Sequence, residues 1–230
     1  MLLESPVVTE VNKNSKMAFA GITGAVVYAI ADFFLYLGTD PFSDDQLSVW
    51  QVPEWRLMTS MWLATVGSLL LLLGYISLCK MYLKVFGKAG AVLSLPCMLC
   101  FGGVLYMHFA IGVYAPLTYN SAAKAGVTPE QFSVMLSNAE SYLNPLTLTL
   151  IFLGYSTEIV LLYGILSGKF GIKKRVAAYM FGGYAMLALV FILTAKLIGD
   201  WGITCSLESL LEPTFFIPAF LYWRQKEKAF

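Results

Sequence analysis

Apolar residues run nearly unbroken through six stretches of the chain, roughly 17–38, 57–83, 90–117, 144–167, 176–198 and 206–224, with short polar or glycine-containing breaks between them. As helices rising 1.5 Å per residue, each is long enough to cross about 30 Å of hydrocarbon. The pattern predicts an all-α integral membrane bundle of six transmembrane helices, a single domain over residues 1–230 with no room for a separate soluble one. Between the third and fourth stretches, "TPEQFSVMLSNAESYL" offers Thr128 as N-cap, Pro129 at the first helical position and Gln131 to complete a capping box. Phe132, Met135, Leu136, Ala139 and Leu143 follow at helical spacing. They predict an amphipathic helix over 128–143 on the outer surface, as a lid over an opening or as a plain interfacial connector.

Lysine and arginine near span ends stay in the cytoplasm, and that rule orients the bundle. With both termini cytoplasmic, Lys13, Lys16, Lys80, Lys84, Lys88, Lys169, Lys173, Lys174, Arg175, Arg224, Lys226 and Lys228 lie inside, and only Arg56, Lys124 and Lys196 lie outside. Trp50, Trp55, Trp62 and Trp201 then fall near the outer interface and Trp223 near the inner one, as amphipathic rings prefer. Lys13 and Lys16 precede a first apolar stretch too long for a signal peptide, and no small-x-small cleavage site follows, so a retained first span is expected.

Composition agrees: the 230 residues are 58% hydrophobic and 13% charged, and mean hydropathy is +0.72. The formal net charge is +1, and no basic block interleaved with aromatics occurs, which sets nucleic acid aside as a partner. "CMLC" puts Cys97 and Cys100 inside the third span after Pro96, without the positive surroundings a reactive thiol needs, so two packed thiols are expected.

An ionisable group inside a span costs at least about 2.5 kcal/mol on insertion scales, so each is a candidate site residue. Counting residues from the outer span ends puts Asp32 about 8 Å deep, His108 about 12 Å, Glu212 about 9 Å and Glu208 about 3 Å. Arg56, Ser60, Tyr114, Asn144 and Lys196 join the same outer layer, whereas Glu158 stands roughly 20 Å down the fourth span. Tyr28, Asp32 and Tyr36 share one face of the first span, and His108 and Gly112 one face of the third. Glu208 and Glu212 share a face at the start of the last, where Pro213 and Pro218 weaken the helix. A polar cavity toward the non-cytoplasmic side is expected. The plain alternative is that Asp32, Arg56, Lys196 and the two glutamates neutralise one another as ion pairs. "YAIADFFLYLG" and "YSTEIVLLYG" each place an acid a turn or less after a tyrosine; inverted three-helix halves would do this, and so would coincidence in apolar sequence.

The inventory excludes several chemistries. One histidine cannot furnish a multi-histidine metal site, and the best single-metal set, His108 with Asp32 and Glu208 or Glu212, follows no ligand pattern, so neither metal nor cofactor is expected. No G-x-S-G surrounds a serine, and no phosphate-cradling glycine loop occurs. "ADFFLYLG", "EWRLMTS", "YMHFAIG" and the polar pair opening the last span together resemble a family of small bacterial six-helix membrane proteins of unknown function. The resemblance implies the same architecture and points to Asp32, Trp55, Arg56, Ser60 and His108, but implies no reaction.

The expected function is that of a metal-independent enzyme acting inside the membrane on an apolar lipid or isoprenoid, by proton-initiated isomerisation or cyclisation. Asp32, Glu212, Glu208 and His108 would exchange the proton, and Tyr28, Trp55, Arg56, Ser60, Trp62, Tyr114 and Asn144 would shape the pocket. The alternatives are a proton-coupled carrier or solute-binding protein, for which a homodimer would supply a longer pathway, and a scaffold with purely structural ion pairs.

Overall fold

The structure, a computed structural model, describes residues 6–39, 51–200, 209 and 213–229. Among these the chain forms seven α-helices: α1 (Pro6–Tyr36), α2 (Glu54–Phe86), α3 (Lys88–Tyr106), α4 (Ala115–Lys124), α5 (Pro129–Leu166), α6 (Arg175–Ile198) and α7 (Pro213–Glu227). Met107–Tyr114 joins α3 to α4 through π-helical turns. Five segments are long and apolar enough to cross a membrane: Val7–Tyr36, Glu54–Phe86, Lys88–Lys124, Pro145–Leu166 and Arg175–Ile198. This is the make-up of a multi-pass membrane protein. The expected sixth crossing, 206–224, falls partly outside the described residues; its described part is Ser209 and residues 213–224 of α7.

Helix boundaries differ from the apolar stretches where polar side chains find partners. α1 starts at Pro6, well before residue 17, and before that residue it buries Val11, Asn14 and Ser15. There the Ser77 hydroxyl donates to the Asn14 carbonyl at 2.8 Å and Lys80 Nζ to Asn14 Oδ1 at 3.1 Å. The 128–143 segment is not a helix of its own. Its capping box forms as expected, with Thr128 and Gln131 bonding each other's backbone N–H, but the helix continues through Pro145 into the span as 38 uninterrupted residues of α5. Only Phe132 of the expected stripe is seen to pack, on Tyr119; Val134 and Met135 are exposed, and the side chains of Leu136, Ala139 and Leu143 lie outside the described residues. At this helix start its own backbone N–H and the Thr128 hydroxyl hold the Glu130 carboxyl below the usual carboxylate range.

α1 and α2 meet at a crossing of small residues, the usual means by which helices in lipid bring their backbones close. A Cβ on Gly21 would stand 2.5 Å from Gly74 Cα, and one on Gly74 2.8 Å from the Phe216 ring of α7. Phe216 meets Tyr75 edge-on at 5.1 Å, and Leu71, Leu78, Tyr82 and Ala219 complete the buried core around it. At the Lys80 end, Phe170 from the α5–α6 connection covers Gly164 and stacks on Tyr82 at 6.3 Å. α6 is the least embedded helix, its apolar window only 6% buried.

Arg56 has a structural task. Its guanidinium donates to the carbonyls of Phe34 at 2.7 Å, Leu35 at 3.4 Å and Leu37, groups that the end of α1 leaves without intrahelical donors. A cation is also favoured at this negative helix end. Charge-assisted hydrogen bonds contribute about 1.5–3 kcal/mol each, and part of this site is wet, so Arg56→Ala is expected to cost about 2 kcal/mol. Lysine, without the planar fork, should recover only part of it. Thermal unfolding in detergent checks this, and an unchanged midpoint in Arg56→Ala would refute the capping role.

Candidate functional site

Asp32 and His108 come from different helices and meet inside the bundle. α1 presents Tyr28, Asp32 and Tyr36 along one face, and all three line a cavity of about 350 Å³. His108 reaches it from the second residue of the π-helical stretch, whose wider i→i+5 turns often occur at functional sites. Gly112, one turn on, lets α1 lie close: a Cβ there would meet Leu35 at 2.6 Å and the Tyr36 hydroxyl at 3.3 Å.

His108 Nδ1 stands 2.6 Å from Asp32 Oδ1, and Nε2 stands 3.2 Å from Ser60 Oγ. Asp32, His108 and Ser60 are 7%, 4% and 0% exposed. The Ser209 hydroxyl donates to the other Asp32 oxygen, Oδ2. Tyr28 packs its ring 4.7 Å from the imidazole and donates its hydroxyl to the Val104 carbonyl at 3.0 Å. With Asp32 ionised, Nδ1–H is the donor to it. Nε2 then accepts from Ser60 when the ring is neutral and donates to it when the ring is charged. The contact between carboxylate and imidazole is buried in the bundle.

The order Ser60, His108, Asp32 is that of an acyl-transfer triad, which is recognised by geometry rather than by motif. Here access decides against a nucleophile. Ser60 is fully buried behind the imidazole and does not line the cavity, so a substrate carbonyl has no route to its Oγ. Ser60 instead fixes the plane of the ring. Ser60→Ala is therefore expected to cost about 1–3 kcal/mol of stability by leaving the buried Nε2 without a partner, read by thermal unfolding in detergent.

The remaining walls come from Cys100, Gly103, Val104 and Met107 of α3, Leu150, Ile151, Gly154, Tyr155 and Glu158 of α5, Tyr184 of α6 and Phe215 of α7. Cys97 is buried and Cys100 lies 3.6 Å from the Tyr75 hydroxyl, so both are packed against neighbouring helices. Among the described residues no group of three or more histidine, cysteine or acidic side chains could hold a metal ion.

The expected site residues separate into several groups. Asp32, His108, Ser60 and Tyr28 come together. Trp55, Trp62 and Tyr114 are exposed on the bundle surface and do not line the cavity, because their positions on α2 and the π-helical stretch turn them outward. Arg56 is committed to α1. Glu208, Glu212 and the side chain of Asn144 lie outside the described residues. Sequence reasoning passed over Ser209, Tyr155 and Tyr184 and kept Glu158 apart from the outer layer. Its one signal for Tyr155 and Glu158 was the echo of "YAIAD" in "YSTE", and both echo elements do face this cavity, from opposite walls.

No protein of described function and no solved structure matches the chain. Residues 9–226, nearly its whole length, match the family of unknown function DUF6796, and the chain belongs to that family.

Proposed function

We propose that the protein is an intramembrane enzyme that moves a proton on and off an apolar lipid-like or isoprenoid substrate. The observation that carries this reading is the 2.6 Å Asp32–His108 pair set in the wall of a chamber whose other lining is mostly apolar and tyrosine side chains, with Ser209 and Glu158 as the polar exceptions. A pair that shares a proton in a water-poor wall can protonate an alkene or carbonyl and recover a proton from a neighbouring carbon, giving an isomer with no net gain or loss of atoms. The aromatic rings of Tyr28 and Phe215 suit the cationic intermediate of such a step. In this reading Asp32 and His108 exchange the proton and Tyr28 lines the chamber, while Ser60, expected to shape the pocket, instead orients the pair together with Ser209. The basic-residue asymmetry supports a chamber on the non-cytoplasmic side, with both termini cytoplasmic and the α7 region as the sixth crossing.

A second reading, a proton-coupled carrier, is favoured by one feature: a single cavity joins Asp32 to Glu158, a longer polar route than the outer layer alone would give. One pair of measurements separates the two. Purified protein incubated in deuterium oxide with a total membrane lipid extract should put deuterium onto carbon in one lipid species, read by mass spectrometry after back-exchange. A carrier would give no such label, and proteoliposomes would instead show solute-driven proton uptake.

A further inference from the structure

The chamber is one-sided in charge. Asp32 and Glu158 both line it, yet none of the fifteen lysines and arginines does. Residues 40–50 and 201–212 contain neither lysine nor arginine, so no basic side chain from outside the described residues completes the wall. The single imidazole is committed to Asp32. A phosphate, sulfate or carboxylate entering here would stay unpaired in an apolar wall and face two carboxyl groups, an arrangement whose desolvation nothing repays.

Glu158 is the pole without a counter-charge. Among the described residues it takes part in no ion pair, whereas Asp32 is bound by His108 and Ser209. Tyr155 stands three residues before it on the same face of α5, and Tyr184 of α6 lines the same cavity. A carboxylate beside tyrosine faces is the usual setting for an ammonium group, held by charge and by the rings' negative faces.

The two poles are well separated. Gly103 packs on Leu150 and Gly154 faces the Cys100 sulfur, so α3 and α5 run antiparallel and Glu158 extends a further turn away from His108. Along the helix axes the separation is on the order of 15 Å, bridged by Val104, Met107, Leu150, Ile151 and Gly154.

We propose that the chamber takes a single-chain lipophilic amine, its ammonium group seated at Glu158 and its apolar chain running to the Asp32–His108 pair. The proposal rests on this cavity being the substrate site proposed above, and it names the chemical class that site admits.

The test uses the full-length protein in dodecylmaltoside and isothermal calorimetry with dodecyltrimethylammonium, subtracting heats measured in protein-free micelles. Saturable binding is expected in the wild type, weakened at least tenfold in Glu158→Gln and partly kept in Glu158→Asp. Dodecyl phosphate, with the same chain and the opposite charge, should not bind saturably. Tyr155→Leu, which removes a ring but no charge, should weaken the ammonium about threefold, and it covers the case in which Glu158→Gln fails to fold. Equal binding of dodecyl phosphate, absence of saturable ammonium binding, or unchanged affinity in Glu158→Gln and Tyr155→Leu would each overturn the assignment. Ammonium binding that survives while no deuterium label appears would overturn the enzyme reading alone.

Discussion

Asp32→Asn is expected to abolish the deuterium labelling of lipid, lowering it by about 10²–10⁴-fold, the span of a general acid–base contribution. The substitution is nearly isosteric. An asparagine Oδ1 can still accept from His108 Nδ1–H across the present 2.6 Å contact, and its amide can still meet Ser209. What it removes is the negative charge that balances an imidazolium, together with a place for the proton itself. Folding should therefore survive, with a monodisperse gel-filtration profile and an unfolding midpoint close to the wild type. A purely structural ion pair predicts the reverse: breaking it would strand a buried histidine and lower stability by about 3–5 kcal/mol. Labelling that persists in a stable Asp32→Asn protein would remove the pair from the chemistry.

The largest effect on stability is expected from Gly74→Leu. A side chain at this position must displace the Gly21 backbone, 2.6 Å from the new Cβ, and the Phe216 ring, 2.8 Å away. The ring could move by a rotamer change, but the backbone can yield only if α1 and α2 separate, and that crossing supports the Tyr75, Leu71 and Phe216 core. Overpacking costs about 1–3 kcal/mol where side chains can adjust, and more should be lost where they cannot. Against total stabilities of about 5–15 kcal/mol, this should yield mostly aggregated protein by gel filtration. Gly182→Leu on α6 is the matched control, since nothing lies within 4 Å of its Cβ, and it should behave as wild type. Equal behaviour of the two variants would show that the crossing is not what joins the helices.

Much of the architecture was legible because lipid allows few solutions. An apolar stretch of twenty residues has to be a helix, and an acid on such a helix has to face its neighbours. For that reason the shared face of Tyr28, Asp32 and Tyr36 could be read directly and converges with His108 as expected. Arg56 could not be read, because its partners are the Phe34, Leu35 and Leu37 carbonyls, and a carbonyl has no letter in a sequence. Trp62 and Tyr114 matched the outer layer in depth, but depth leaves the azimuth of a side chain open, and these two face outward. Glu158 shows the converse: the depth ruler set it apart from Asp32, and the two stay well separated, yet one cavity is lined by both. At α5 the expected boundary between the 128–143 helix and the span from 144 is missing, because the helix runs on through Pro145.

The π-helical stretch sets the register between the Asp32–His108 wall and the rim. Beyond it, α4 locks onto the chain entering α2, where Gln51 reaches the Tyr119 hydroxyl, Asn120 holds the Val52 carbonyl and Lys124 pairs with Glu54, and onto the start of α5, where Tyr119 packs on Phe132. Each residue added to or taken from a helix turns everything after it by about 100°. Loss of one residue between Met107 and Tyr114 would tighten the coil into ordinary α-helix and force a choice, with either the imidazole swung off its carboxylate or the whole rim unlatched. The wider turns are what let the imidazole meet its carboxylate and the rim contacts form at once.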